Sequence, residues 1–133
     1  MKNILFVFLL FNSLFAQSFI GYINKNPIWF EIKTDTTTDT VTGNYFYKNV
    51  ENEINFSGTK NGQQIELTEK DEQQTVTGLF TLTDFGDSIN GTWQKPDSKT
   101  EYNVRLYKTD PSNKEKMINK GIRMFIPGII NNL

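Results

Sequence analysis

A single glutamate is the most distinctive of the residues that could do chemistry. Glu69 follows Ile65 and Leu67 at two-residue spacing, so in a strand its carboxyl group points the same way as their apolar side chains. A carboxyl group in that position could act as a buried acid or as an anchor for a ligand. Because charged side chains are rarely buried, we favour the other interpretation, in which Glu69 lies in water at the rim of the fold.

No second catalytic group is recognisable near Glu69, so hydrolysis by paired carboxylates is a weak hypothesis. Asp35 and Asp39 flank a run of threonines, and Asp84 and Asp87 share one turn. Neither pair has calcium-loop spacing, and Asp is an ordinary turn residue. The chain has no cysteine and no histidine, which excludes thiol nucleophiles, Cys/His zinc sites, disulfides and imidazole proton transfer. We therefore predict that it is not an enzyme and that it binds no metal and no cofactor.

Aromatic side chains are the best indication of a binding site. Six of them share the inward phase of their strands: Phe30, Tyr45, Tyr47, Phe56, Phe80 and Trp93. Aromatic residues line most small-ligand cavities, but an eight-stranded barrel encloses little more than its own side chains. We therefore expect a filled core with any pocket small and near one mouth. The predicted ligand-binding residues are Tyr45, Tyr47, Glu69 and Trp93.

The elements that position these residues are strands, because the apolar period is two from Gln17 onward. The pattern predicts strands at residues 18–24, 28–33, 40–48, 53–60, 63–70, 75–83, 88–94 and 100–108. Asn61 and Gly62 indicate a type I′ hairpin. The connections are short, which favours an all-β, eight-stranded antiparallel up-and-down meander over residues 17–108. Such a meander either forms two layers or closes into a small barrel; we favour closure because it removes exposed edges.

Two stretches of the chain are similar, and both place glycine in the apolar phase. The sequence pattern of residues 40–47 recurs at residues 75–82, and that of residues 56–60 recurs at residues 89–93. The four glycines concerned are Gly43, Gly58, Gly78 and Gly91. They could leave room for a ligand against bare backbone, but tight coiling of a small barrel also requires glycine. We favour coiling, because a ligand site need not repeat.

The C-terminal segment, residues 109–133, differs from the rest. Ser112 is a suitable cap for a helix over residues 113–125, which we expect to pack with the tail over one barrel opening. Alternatively, the segment binds a partner, or the chain is part of a longer parent. Trp29 has the outward phase, so it is either exposed or covered by this segment. An exposed Trp29, together with Phe125, would form a partner-binding surface.

The first sixteen residues predict a secretory signal peptide. A short positive start precedes an apolar run at residues 4–11, and Ala16 is the small residue expected at a cleavage site. An uncleaved anchor is the alternative, although the run is too short to span a bilayer comfortably. We therefore expect an exported protein, periplasmic or secreted, with no membrane span after cleavage. The net charge of −1 gives no basic surface for nucleic acid.

Several short motifs support a family resemblance over residues 18–108. They are Gly43-x-Tyr45-x-Tyr47, Phe56-x-Gly58, Leu67-x-Glu69, Thr77-Gly78-x-Phe80 and Gly91-x-Trp93. The chain resembles small exported bacterial β-barrel domains of uncharacterised function, which look like lipocalins or avidins in architecture. It departs from lipocalins, whose first strand carries Gly-x-Trp where this chain has Gly21-Tyr22. Avidins surround biotin with several tryptophans, and this chain has two on opposite phases, so neither ligand class carries over.

Two functional hypotheses follow. The first is an exported non-enzymatic binding protein that takes a small apolar or amphipathic ligand at one barrel mouth. The alternative is a protein-interaction module of the cell envelope, an inhibitor or a scaffold, that uses Trp29 and the C-terminal segment.

Overall fold

The computed structural model describes residues 13–48, 50 and 52–120. Its elements are β1 (Leu14–Ile23), β2 (Asn26–Asp35), β3 (Thr40–Tyr47), β4 (Ile54–Asn61), β5 (Gln64–Lys70), β6 (Val76–Asp84), β7 (Ser88–Gln94), β8 (Glu101–Thr109) and α1 (Asn113–Lys120). All eight predicted strands are present, with bounds that differ by a few residues. Each strand pairs antiparallel with its neighbour in sequence, and β8 pairs with β1, so the sheet is a closed barrel. The predicted fold class is confirmed.

The β4–β5 hairpin differs from the prediction by one position. Asn61 still pairs with Gln64, so the two-residue loop is Gly62-Gln63 rather than Asn61-Gly62. Gly62 has a φ of 62°, and Asn61 is not among the residues with positive φ. Positive φ at the first loop position is the type II′ pattern, so the predicted type I′ turn is wrong.

The barrel interior is packed with side chains of the predicted inward phase. Phe30 stacks on Phe56 with ring centroids 4.9 Å apart, and Phe80 meets Phe30 edge-on at 5.9 Å. Offset and edge-on ring pairs add about 0.5–1.5 kcal/mol each beyond the burial of their area. Gly58 and Gly91 allow tight coiling, because a Cβ atom at either would collide with a backbone carbonyl of the adjacent strand. That space holds backbone, not a ligand, which supports the coiling interpretation.

The two similar sequence stretches do not form a structural repeat. They begin on β3 and β6, which run in opposite directions because they lie three strands apart in an antiparallel meander. Their pairing also differs: Val41 lies opposite Gly58, whereas Gly91 lies opposite Leu82 and not opposite Val76.

Helix α1 packs on the outside of the barrel. Met117 is fully buried against Ile20, Trp29 and Phe46, which project outward from β1, β2 and β3. The expectation that the helix covers a barrel opening is therefore wrong. Trp29 has 0% exposure, so the hypothesis of an exposed Trp29 surface is also wrong, and the alternative of cover by the C-terminal segment is correct. Phe125 lies outside the described residues.

Strand β1 begins before the predicted signal-cleavage site. Residues 14–16 pair with residues 33–35 of β2 and are exposed. Most of the predicted signal peptide, residues 1–12, lies outside the described residues, so cleavage stays a prediction. Among the described residues, no helix is long and apolar enough to cross a membrane.

Candidate functional site

The four predicted ligand-binding residues lie at one end of the barrel. Because the strands alternate in direction, β3, β5 and β7 all finish at the same end. Tyr45 and Tyr47 lie near the end of β3, Glu69 near the end of β5 and Trp93 near the end of β7. We call this end, defined by those four residues, the Glu69 mouth.

Glu69 is buried there, with 5% of its surface exposed. Its Oε1 atom accepts hydrogen bonds from the Tyr45 hydroxyl at 2.5 Å and from Trp93 Nε1 at 3.0 Å. Its Oε2 atom accepts one from Thr77 Oγ1 at 2.7 Å. The interpretation of Glu69 as a rim residue in water is therefore wrong. Three donors from three other strands replace the water that a buried carboxylate loses, which offsets the cost of its burial.

A β-bulge brings Thr77 to Glu69. Glu69 pairs with Gly78 but Lys70 pairs with Val76, so Thr77 is an extra residue on β6. A bulge re-aims a side chain that strict alternation would send to the other face. Sequence reasoning missed Thr77 for this reason, because a period-two pattern assigns it to the outer face.

Gly78 lies where the Trp93 indole meets the Glu69 carboxylate, and its lack of a side chain leaves room for both. A Cβ atom at this position would lie 2.7 Å from Trp93 Cε2 and 2.9 Å from Glu69 Oε1. Both distances are shorter than real Cβ contacts, so a side chain here would push the indole and the carboxylate apart. Gly78, which the sequence predicts to be a coiling glycine, therefore also leaves the space that the Trp93–Glu69 hydrogen bond requires.

Burial and charge change the acidity of both tyrosines. Burial raises the pKa of Tyr45, and the negative charge of Glu69 together with their hydrogen bond raises it further. Burial is also the largest cause of the raised pKa of Tyr47. Both phenols therefore stay protonated at neutral pH, and the Tyr45 hydroxyl remains a donor to Glu69.

Tyr102 completes the aromatic surface of the mouth. Its ring stacks on Trp93 with centroids 5.8 Å apart and an interplanar angle of 8°, and it is 38% exposed. Tyr45 and Tyr47 meet edge-on at 5.8 Å. Tyr102 is not among the site residues that the sequence predicts. Its position opposite Trp93 follows only from the β7–β8 register.

A cleft of about 740 Å³ opens at the same mouth, beside the start of β4 and the end of β5. Ile54 and Phe56 supply apolar surface to it, and Glu69 and Thr77 line it from the barrel side. The other lining side chains are polar or charged, so the cleft combines apolar surface with convergent polar groups, as small-ligand sites do. Within the described residues, no group of three or more acidic side chains could hold a metal ion.

Comparisons with known proteins add no function to this site, so any functional statement rests on its geometry. The chain matches no protein-family description, no curated protein and no solved structure. The resemblance to small lipocalin-like and avidin-like barrels therefore stays a prediction from the motifs.

Proposed function

We propose that this chain is an exported, non-enzymatic binding protein that takes a small apolar or amphipathic ligand at the Glu69 mouth. Ligand contacts are assigned to Tyr45, Tyr47, Glu69 and Trp93, as the sequence predicts. Of these, only Glu69 lines the cleft. Tyr45 and Trp93 adjoin it through their hydrogen bonds to Glu69, and Tyr47 lies at the same end of the barrel.

The observation that carries the proposal is a buried carboxylate beside an open cleft that also has apolar surface from Ile54 and Phe56. A carboxylate is costly to bury, and a similar-sized apolar side chain would fill the space at lower cost. Glu69 instead accepts hydrogen bonds from two aromatic side chains, Tyr45 and Trp93, and lies opposite Phe56 in the β4–β5 register. Such a polar group in apolar surroundings orients a ligand and selects it. The packed interior restricts the ligand to the mouth.

The protein-interaction alternative has less support. It depended on an exposed Trp29, and Met117 covers this indole. Trp29 Nε1 also donates a hydrogen bond to Glu31 at 2.8 Å, so its polar atom has a partner. A partner would have to displace α1 before it could contact Trp29.

Tryptophan fluorescence tests the proposal, because the chain has only two tryptophans. In a Trp29→Phe variant, Trp93 is the sole reporter. We expect a saturable change in its emission on titration with 1-octanol, and partial quenching by acrylamide in the absence of ligand. A Trp93→Phe variant, which reports from buried Trp29, is the matched control and should not respond. If Trp93 neither responds to ligand nor is quenched, the mouth is closed and the proposal is wrong.

A further inference from the structure

Glu69 has one hydrogen-bond acceptor position to spare. A carboxylate offers about four lone-pair positions on its two oxygens. Two positions on Oε1 are taken by Tyr45 and Trp93, and one on Oε2 is taken by Thr77. The remaining position is on Oε2, on the side of the carboxyl group held by Thr77, which itself lines the cleft. A single additional donor from a ligand would complete the site.

No positive charge within the described residues is paired with this carboxylate. The ion pairs there join Lys60 to Asp84 and Lys114 to Glu31 and Glu53. The three donors to Glu69 are neutral, so they solvate its charge without cancelling it. A buried charge without a counter-charge favours a cationic ligand over a neutral one.

The side chains that line the cleft also favour a cationic ligand. Glu53, Glu69, Asp71 and Glu72 line it together with one cation, Lys70. Because Glu53 also pairs with Lys114, the four carboxylates and two ammonium groups make a formal net charge of −2 around the opening. Low-dielectric walls of one sign concentrate ions of the opposite sign.

We infer that the ligand of the Glu69 mouth is a primary ammonium compound with an apolar body. Its nitrogen donates a hydrogen bond to Oε2 of Glu69, and its hydrocarbon part lies against Ile54 and Phe56. This inference rests on the proposed function and adds the charge and donor of the ligand to it.

Isothermal titration calorimetry of the full chain at pH 7 with three ligands of equal chain length tests the inference. They are n-octylammonium, 1-octanol and octyltrimethylammonium. We expect n-octylammonium to bind at least tenfold more tightly than 1-octanol, because only the former brings a charge. It should also bind more tightly than octyltrimethylammonium, which has the charge but no N–H donor.

Two glutamine substitutions on β5 test whether Glu69 causes the preference for n-octylammonium. Glu69→Gln keeps the size of the side chain and an oxygen acceptor but removes the charge, and it should abolish the tenfold preference for n-octylammonium over 1-octanol. Glu66→Gln is the matched control, because Glu66 is exposed on β5 outside the cleft. It should leave the preference unchanged. Near-ultraviolet circular dichroism verifies that each variant is folded.

The outcomes separate this inference from the proposed function. If 1-octanol binds and n-octylammonium binds no more tightly, the mouth is a ligand site but the ammonium inference is wrong. If octyltrimethylammonium binds as tightly as n-octylammonium, the hydrogen bond to Oε2 is wrong. If no ligand binds, both are wrong. If Glu69→Gln does not fold, the affinities of the three ligands for the unchanged chain still test the inference.

Discussion

At the scale of single residues, the Glu69 mouth depends on donors that come from separate strands. Tyr45, Thr77 and Trp93 belong to β3, β6 and β7, and all three bond to one side chain of β5. Loss of one donor leaves part of a buried carboxylate unsatisfied, which costs more than the bond itself contributes. The hydrogen bonds of Glu69 therefore stabilise the fold as well as the site.

Tyr45→Phe removes the shortest of these bonds without changing the shape of the ring. We expect a loss of about 1–3 kcal/mol in the free energy of unfolding, measured by urea denaturation. Tyr102→Phe is the matched control, because its ring still stacks on Trp93 and its side chain is partly in water. It should change stability by less than about 0.5 kcal/mol. Equal effects of the two substitutions would contradict a special role for the Tyr45–Glu69 bond.

At the scale of elements, α1 covers an apolar patch that the barrel leaves on its outer face. Ile20, Trp29 and Phe46 lie in the outward phase of their strands, where a small barrel normally has polar residues. Met117 buries them, and Lys114 adds ion pairs to Glu31 at 3.5 Å and to Glu53 at 3.8 Å. The apolar contact is the stronger contribution, because exposed ion pairs contribute about 0–1 kcal/mol.

Met117→Ala should expose Trp29 and weaken the attachment of the helix. We expect a loss of about 2–5 kcal/mol in the free energy of unfolding and a red shift of the Trp29 emission in a Trp93→Phe background. Lys116→Ala, on the exposed side of the same helix, is the control and should be nearly neutral. Unchanged Trp29 emission in the Met117 variant would mean that α1 is not what shields the indole.

At the scale of the whole molecule, buried phenols link the stability of the barrel to pH. Burial raises the pKa of Tyr22, Tyr45 and Tyr47 in the folded protein. The unfolded chain loses the same protons near pH 10. The folded state therefore binds more protons above that pH, and its stability, full below about pH 10, falls as the pH rises further.

The urea midpoint should decrease steadily between pH 9.5 and pH 11, while it changes little between pH 7 and pH 9. Tyrosinate absorbance in the folded protein should appear at higher pH than in urea. The decrease should be less steep in Tyr45→Phe, which removes the phenol with the strongest coupling to Glu69. An identical pH dependence in the variant would contradict the contribution of Tyr45.

By itself, the sequence determined the number of strands, their order and the faces on which most side chains lie. Alternation of apolar residues is a local property, and eight such segments with short connections leave a closed meander as the economical arrangement. The inward positions of Tyr45, Glu69 and Trp93 follow from the same alternation. Their meeting at one end follows from the up-and-down order of the strands.

Only the tertiary structure decided the environment of Glu69 and the place of α1. The burial of Glu69 depends on the register of four strands and on the bulge that turns Thr77 inward, and both are set by neighbours distant in sequence. The position of α1 depends on an outward apolar patch formed by three strands, which no single strand displays. Local patterns specify the direction of a side chain, whereas its burial depends on what packs against it from the rest of the chain.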